Sequence, residues 1–221
     1  MAEEPGEHLM AVSVPAAAAA GAVGHLQNAY YIGVTLDGRI AGPDGEFDFF
    51  PQGDEQQAAA YSAWMNALYP ETIPTAYRAA VGVADAPNRR FDTVVMGLGT
   101  YRPALDNGIT SPYAHLRQYV VSSTLKPDTD PAVTVVPSDP LALVRELKSE
   151  AGAGLDIWLC GGGRLAGTLL PEMDELLIKT YPVVAGTGIS VVDGAFDPTV
   201  FDVAERTAFP NGVTFTRLTR R

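Results

Sequence analysis

From Ala29 the chain reads AYYIGVT, rich in β-branched and aromatic residues, and then LDGRIAGPDGE, dense in Gly, Asp and Pro. This is the pattern of a strand running into a long loop. Asp54 to Leu68 contains neither Gly nor Pro and sets Ala59, Ala60, Ala63, Trp64, Ala67 and Leu68 at helical spacing, so a helix is predicted from about Asp54, ended by Pro70 and Pro74. A shorter helix is predicted over Ala76 to Val83, before APNRR returns the chain to the surface. The segments TVVMG, GTYRPAL, QYVVSS, AVTVVP, PLALVRELKSE, DIWLCGGG and RLAGTLL then read as strands alternating with helices, which predicts a sheet with substantial parallel pairing. Ser138 or Asp139 is placed to cap the helix through Leu147. The last four runs, DELLIKTYPVVAG, ISVVDG, TVFDVAERTAFP and GVTFTRLTR, are strand-like and joined by Gly and Pro turns, so antiparallel pairing is expected there. The predicted fold is α/β: a mixed sheet flanked by helices, with antiparallel C-terminal strands.

With 221 residues and 47% hydrophobic composition, the chain is expected to form one domain over residues 28–221, preceded by a mobile, alanine-rich tail over residues 1–27. The apolar stretch AVSVPAAAAAGAVG follows Glu3, Glu4 and Glu7, where a secretory signal needs a basic region. Pro15 and several glycines keep it short of the ~18–20 apolar residues that span a bilayer. Lys and Arg number 15 against 26 Asp and Glu, a net charge of −11, which argues against nucleic-acid or anionic-membrane partners. An anionic ligand must then be held locally, by backbone N–H groups and a few side chains. A single cysteine, Cys160, allows no intramolecular disulfide and fits a reducing, cytoplasmic setting.

The strongest local signal is DIWLCGGGRL, in which a strand stops at Gly161, Gly162 and Gly163 and leads through Arg164 and Leu165 into a helix. Glycines there let a ligand approach the backbone, and the free N–H groups of a helix start favour a phosphate. TVVMGLGTY repeats the arrangement with Gly97, Leu98, Gly99 and Thr100, though its third G-x-G-x-x-G position is Arg102. The next strand ends in Ser122, Ser123 and Thr124 in place of the acidic residue of NAD-type sites, which suits a 2′-phosphorylated ribose. No phosphate-loop lysine motif, nucleophile elbow or H-E-x-x-H metal motif is present, and His115 in SPYAHLRQ reads as a surface or packing residue, so no metal site is expected.

Taken in order, TLDGRIAGPDGEFDFF, FDTVVMGLGTY, QYVVSSTL, DIWLCGGGRLAGTLLPEMDELLIKTYPVVAGTGI and FPNGVTFTRL resemble the blocks of the dihydrofolate-reductase-like superfamily, in particular the reductase domain of the riboflavin-pathway deaminase-reductase. The resemblance runs from Ala29 to the C-terminus and implies a reductase binding NADPH, with NADH as the alternative. It places Thr35, Asp37, Gly38 and Ile40 over nicotinamide and substrate, Gly97 to Tyr101 and Gly161 to Leu165 at the cofactor phosphates, and Ser122 and Ser123 near the adenosine ribose. Leu98 stands where dihydrofolate reductases carry a base for the 2′-phosphate, so the expected preference for NADPH is modest. The catalytic acid of those enzymes aligns with Asp48, Asp54 or Glu55, and proton delivery is open among Asp37, Asp48, Tyr101 and water. A homodimer through the C-terminal ribbon is also implied.

The loop and first helix carry Arg39 as their only Lys or Arg beside six acidic residues, and their Phe47, Phe49, Phe50, Tyr61 and Trp64 provide flat apolar surface. A small neutral ring compound or conjugated carbonyl is therefore expected as substrate, in place of dihydrofolate or a ribosylaminopyrimidine phosphate. A nucleotide-binding protein without turnover would use the same glycine turns.

Overall fold

The computed structural model describes residues 26–150 and 154–221. The tail expected over residues 1–27 lies outside them as far as residue 25. In chain order the elements are β1 (Asn28–Val34), β2 (Arg39–Ala41), α1 (Glu55–Leu68), β3 (Phe91–Gly97), α2 (Leu98–Asp106), β4 (Arg117–Val121), β5 (Val133–Val136), α3 (Pro140–Ser149), β6 (Asp156–Gly161), α4 (Gly163–Leu169), β7 (Glu175–Thr180), β8 (Ile189–Ser190), β9 (Phe201–Ala208) and β10 (Thr214–Arg220). Eight strands form one sheet in the order β5-β4-β3-β6-β1-β7-β10-β9, while β2 and β8 pair separately. The pairings from β5 to β7 are parallel, and β10 is antiparallel to both β7 and β9. This is the mixed sheet with antiparallel C-terminal strands that the hydrophobic pattern predicts.

Helix α1 starts where expected. The Asp54 side chain accepts from Gln57 N at 2.8 Å and the Gln57 side chain accepts from Asp54 N at 3.1 Å, so two N–H groups that a helix start leaves open are satisfied reciprocally. Its Tyr61, Trp64 and Met65 are buried on one sheet face with Tyr31, Tyr69, Phe91, Phe209 and Phe215. Trp64 meets Phe209 and Phe215 edge-on at centroid distances of 5.1 and 5.4 Å, a geometry worth ~0.5–1.5 kcal/mol per pair beyond burial. The opposite face is more aliphatic, with Val144 and Leu147 of α3 and Leu165, Ala166 and Leu169 of α4 covering Tyr30, Val95, Ile157 and Leu159. Asp139 is the cap of α3, accepting from Ala142 N at 3.0 Å.

The helix expected over Ala76 to Val83 does not form. Only Thr75–Tyr77 makes one 3-10 turn, and Gly82 has a φ of 74° that an α-helix does not admit. The segment wraps the buried Arg78, whose guanidinium donates to Pro70 O at 2.7 Å and Ala86 O at 2.6 Å. Beside it, the fully buried Glu71 carboxylate accepts from the N–H groups of Arg89, Arg90 and Phe91 at 3.2, 2.8 and 2.9 Å, fixing this loop to the start of β3.

The N-terminal edge of the parallel strands is closed by charge pairs. Glu175, 3% exposed, takes Arg90 at 2.8 Å and Arg217 at 3.1 Å. Arg90 also meets Asp156 at 2.8 Å, and Lys148 meets Asp174 at 2.8 Å.

Candidate functional site

The C-terminal edge of the same strands is open. Neighbours β3 and β6 run parallel, with Val94 beside Trp158 and Val95 beside Leu159, and the chain leaves them in opposite directions: β4 lies on the outer side of β3, whereas β7 lies beyond β1. In an open α/β sheet such a reversal of strand order leaves a crevice above the strand ends. Gly97 ends β3 and precedes α2, Gly162 follows β6 and precedes α4, and neither helix start is capped by a side chain, so backbone N–H groups remain free there. The Gly161–Gly162 peptide is cis.

The space beyond these glycines is empty. A Cβ on Gly99 would meet nothing within 4 Å, and one on Gly162 would meet only Thr100 Oγ1 at 3.8 Å and Ile40 Cδ1 at 4.0 Å. Gly163 and Gly167 differ, because a Cβ there would collide with the carbonyls of Ser190 and Asp193. The bare backbone at Gly99 and Gly162 thus leaves room for a ligand, Gly97 lies against the Gly161–Gly162 turn with Gly161 O and Gly162 N 3.6 Å from where its Cβ would stand, and Gly163 and Gly167 are required by packing.

A cleft of about 1730 Å³ runs along this edge. Of the residues anticipated from sequence, Ile40, Gly97, Leu98, Gly99, Thr100, Ser122, Ser123, Thr124, Gly161, Gly162, Gly163, Arg164 and Leu165 line it. Ser122 is buried and its Oγ accepts from Thr124 N and Leu125 N at 3.2 and 3.0 Å, so it organises the turn while Ser123 and Thr124 stand exposed at the rim. Arg102 and Arg164 bring cationic heads to this half, with Arg164 3.7 Å from Asp193.

Several expected site residues lie elsewhere. The Thr35 hydroxyl donates to Asp37 Oδ1 at 2.6 Å and accepts from Arg39 N at 2.8 Å, which ties up the turn after β1. Asp37 also accepts from Ala185 N at 3.0 Å and Gly186 N at 2.8 Å, and these bonds, the one from Thr35 foremost, hold its carboxyl down at about 2. It is an ionised strut with no proton to give near neutrality. Tyr101 is fully buried, its hydroxyl donating to Thr110 O at 2.5 Å, and burial raises its pKa. Asp48 is exposed and is not part of the cleft wall. Nor are Tyr61, Trp64 and Phe49: the first two are core residues, and Phe49 stacks on Phe50 at 4.7 Å. Phe47, Phe50, Tyr77 and Tyr113 supply the aromatic wall instead. Arg39 donates to Ser190 Oγ at 2.7 Å, joining β2 to β8. His115 Nε2 lies 2.8 Å from Glu71 O and Nδ1 lies 3.0 Å from Thr75 Oγ1, a packing role in which burial lowers its pKa.

Two residues that sequence reasoning did not assign to the site stand at the aromatic end, one in the cleft wall and one behind it. Cys160, the last side chain of β6 before the glycines, lines the cleft, and burial pushes its thiol up to about 12. Lys179 on β7 sits beside Gly33 of β1 in the parallel register, its Nζ 3.9 Å from the Tyr31 ring centroid, and burial pulls its pKa down to about 8. A signal existed: Glu175, Leu177 and Lys179 share one face of a strand, and Leu177 on that face is 1% exposed. Among the described residues no group of three His, Cys, Asp or Glu side chains is placed to hold a metal ion, and no helix is long and apolar enough to cross a membrane.

Comparison with known proteins agrees with this architecture. A crystal structure of a "putative riboflavin biosynthesis protein" from Shewanella sp. PV-4 superposes with a TM-score of 0.61 at 21% identity, covering 89% of this chain and 99% of the other, and shares the dihydrofolate-reductase-like fold. The Bacillus subtilis (strain 168) protein named "Uncharacterized protein YwjB" is 29% identical over 161 residues, 72% of this chain and 78% of the relative. The model of the RibD C-terminal domain matches residues 29–215, and the chain belongs to that family of reductase-like proteins.

Proposed function

We propose that the chain is a reductase that binds a nicotinamide dinucleotide along the crevice between β3 and β6, NADPH modestly better than NADH, and reduces a small uncharged ring compound. The observation that carries this reading is the pair of glycine-bearing strand-to-helix junctions side by side at the strand-order reversal, with empty space above them. The free N–H groups at the starts of α2 and α4, with Thr100, would hold the pyrophosphate. Ser123, Thr124 and Arg102 offer hydroxyl donors and a cation for the 2′-phosphate. Bound there, the dinucleotide supplies a hydride. Phe47, Phe50, Tyr77 and Tyr113 offer ring-sized apolar surface that excludes water, and this half carries no Arg. A cytoplasmic location, where NADPH is regenerated, completes the reading.

Calorimetric titration with NADPH and NADH, followed by nicotinamide absorbance in the presence of 7,8-dihydropterin, menadione or 2-cyclohexenone, tests it. The expected result is binding of both cofactors and oxidation of NADPH by at least one acceptor. Absence of dinucleotide binding overturns the reading, and binding without any turnover favours the nucleotide-binding alternative, whose support is that Asp37 and Tyr101 are both committed elsewhere. We also infer a homodimer through β9, an edge strand on which Val203 is 57% exposed. Light scattering should give twice the chain mass, and a monomer at micromolar concentration would refute the dimer.

A further inference from the structure

Beside the aromatic half of the cleft, behind the wall formed by Gly33 and Cys160, stands a cation for which the fold supplies no counter-charge. The Lys179 side chain takes part in no hydrogen bond or ion pair among the described residues, although the other part-buried lysine, Lys148, is held by Glu172 and Asp174. Its ammonium faces Tyr31 of β1 at 3.9 Å and Cys160 of β6, and Tyr113 adjoins that thiol. Its register partner on β10 is Phe215. No carboxylate is paired with it from any of these elements. A cation kept in such surroundings without a partner costs stability, and its neighbours point to a use: Gly33, Cys160 and Tyr113 all line the cleft. Gly33, beside Lys179 on the adjacent strand, carries no side chain, and the Tyr181 ring packs over it, which leaves the Cys160 and Tyr113 side as the approach to the ammonium.

Resting on the reductase reading above, we propose that Lys179 is the proton donor of the acceptor pocket and that the acceptor is a neutral planar ring bearing a C=N or C=O group. The acceptor carbon gains a hydride, two electrons and one hydrogen nucleus, from the reduced nicotinamide. The π pair of the C=N or C=O bond moves to the heteroatom, which takes the proton leaving Lys179 Nζ. The resulting amine is neutral and regains a proton from water. The depressed pKa suits this role, because an acid titrating near the working pH both carries and releases its proton. The neutral amine also leaves Cys160, Tyr113 and Tyr31 facing no uncompensated charge. The unfilled role left by Asp37 and Tyr101 is thereby assigned to a residue directly behind the substrate half.

The chain has three lysines, Lys126, Lys148 and Lys179, so ¹³C-methylation of the full-length protein gives a spectrum that Lys179→Met assigns. The expected resonance titrates near 8 and moves when 7,8-dihydropterin, menadione or 2-cyclohexenone is added with NADP⁺. Lys179→Met and Lys179→Arg should both keep NADPH affinity within about twofold and lose turnover by ~100-fold or more, since arginine keeps the charge but gives up no proton in this range. A midpoint at or above about 10, a resonance that none of the three acceptors moves, or wild-type turnover by either variant overturns the proposal. Failure of the wild-type protein to bind NADPH overturns the reductase reading and this one together. Intact NADPH binding with any of the three contrary results overturns this one alone.

Discussion

The two ends of the parallel strands obey opposite rules. At the N-terminal edge Glu175 holds Arg90 and Arg217, and Asp156 and Asp174 complete a network in which each named charge has a partner. At the C-terminal edge β3 and β6 stop in glycine, two helix starts are uncapped and Lys179 has no counter-ion. The difference separates what holds the sheet together from what the sheet presents. It also predicts that stability and ligand affinity respond to different substitutions.

The largest effect is expected at the closed edge. Glu175→Ala leaves Arg90 with Asp156 and Arg217 with the more distant Glu205 at 3.7 Å, and should cost about 3 kcal/mol in urea unfolding, the low end of the penalty for breaking a buried pair. Dinucleotide affinity should stay within about twofold, and a parallel loss of affinity would break the comparison. At the open edge the order reverses. Gly162→Val fills space that only Thr100 and Ile40 approach, so affinity for NADPH should fall ~100-fold, about 2.7 kcal/mol, with little change in unfolding midpoint. Gly163→Ala is its complement, because a Cβ there meets the Ser190 carbonyl and stability should fall first. Wild-type affinity in Gly162→Val would remove the crevice from consideration.

A smaller change sharpens the picture of the cofactor half. Leu98 lines the cleft one residue into α2, and Leu98→Arg should raise the NADPH-to-NADH affinity ratio by about tenfold, the scale of one charged hydrogen bond. Calorimetry with both cofactors reads it directly, and an unchanged ratio would place the 2′-phosphate elsewhere. The smallest effect concerns Asp37. Its carboxyl is held down at about 2 in the fold, so its stabilising contribution is complete above the ordinary carboxylate range and disappears as pH falls from about 4 toward 2. Asp37→Asn should flatten the thermal midpoint across that acid window and leave the pH profile of turnover between 6 and 9 as in the wild type. A displaced profile would return Asp37 to the chemistry.

What the sequence made legible follows from which signals are local. The N-cap at Asp54, the strands ending in Gly97 and Gly161, and the antiparallel pair formed by β9 and β10 are each written within a few residues, and they locate the crevice. Partners brought by the fold are not. Thr35 is a local donor to Asp37, but the two that complete its immobilisation come from Ala185 and Gly186, about 150 positions on. Helical spacing gives Tyr61 and Trp64 a common face but does not say whether a core or a pocket covers it. Tyr101 belongs to a helix whose first residues line the cleft, yet its own side chain points into the core. Lys179 stood out by parity in an apolar strand, and only the neighbouring strands reveal what it faces.

The close approach of Gly167 to Gly194, where a Cβ on the latter would sit 3.0 Å from the former's Cα, pins the base of the segment after β8. Asp193 N adds a bond to Gly163 O at 2.9 Å. Beyond this anchor the chain emerges freely, with Phe196 97% exposed at the tip. Because Asp193 also belongs to the cleft wall, the loop is a natural graft point for a reporter. A fluorophore or inserted peptide between Ala195 and Pro198 would leave the sheet undisturbed and sense occupancy of the crevice through an anchor two residues away.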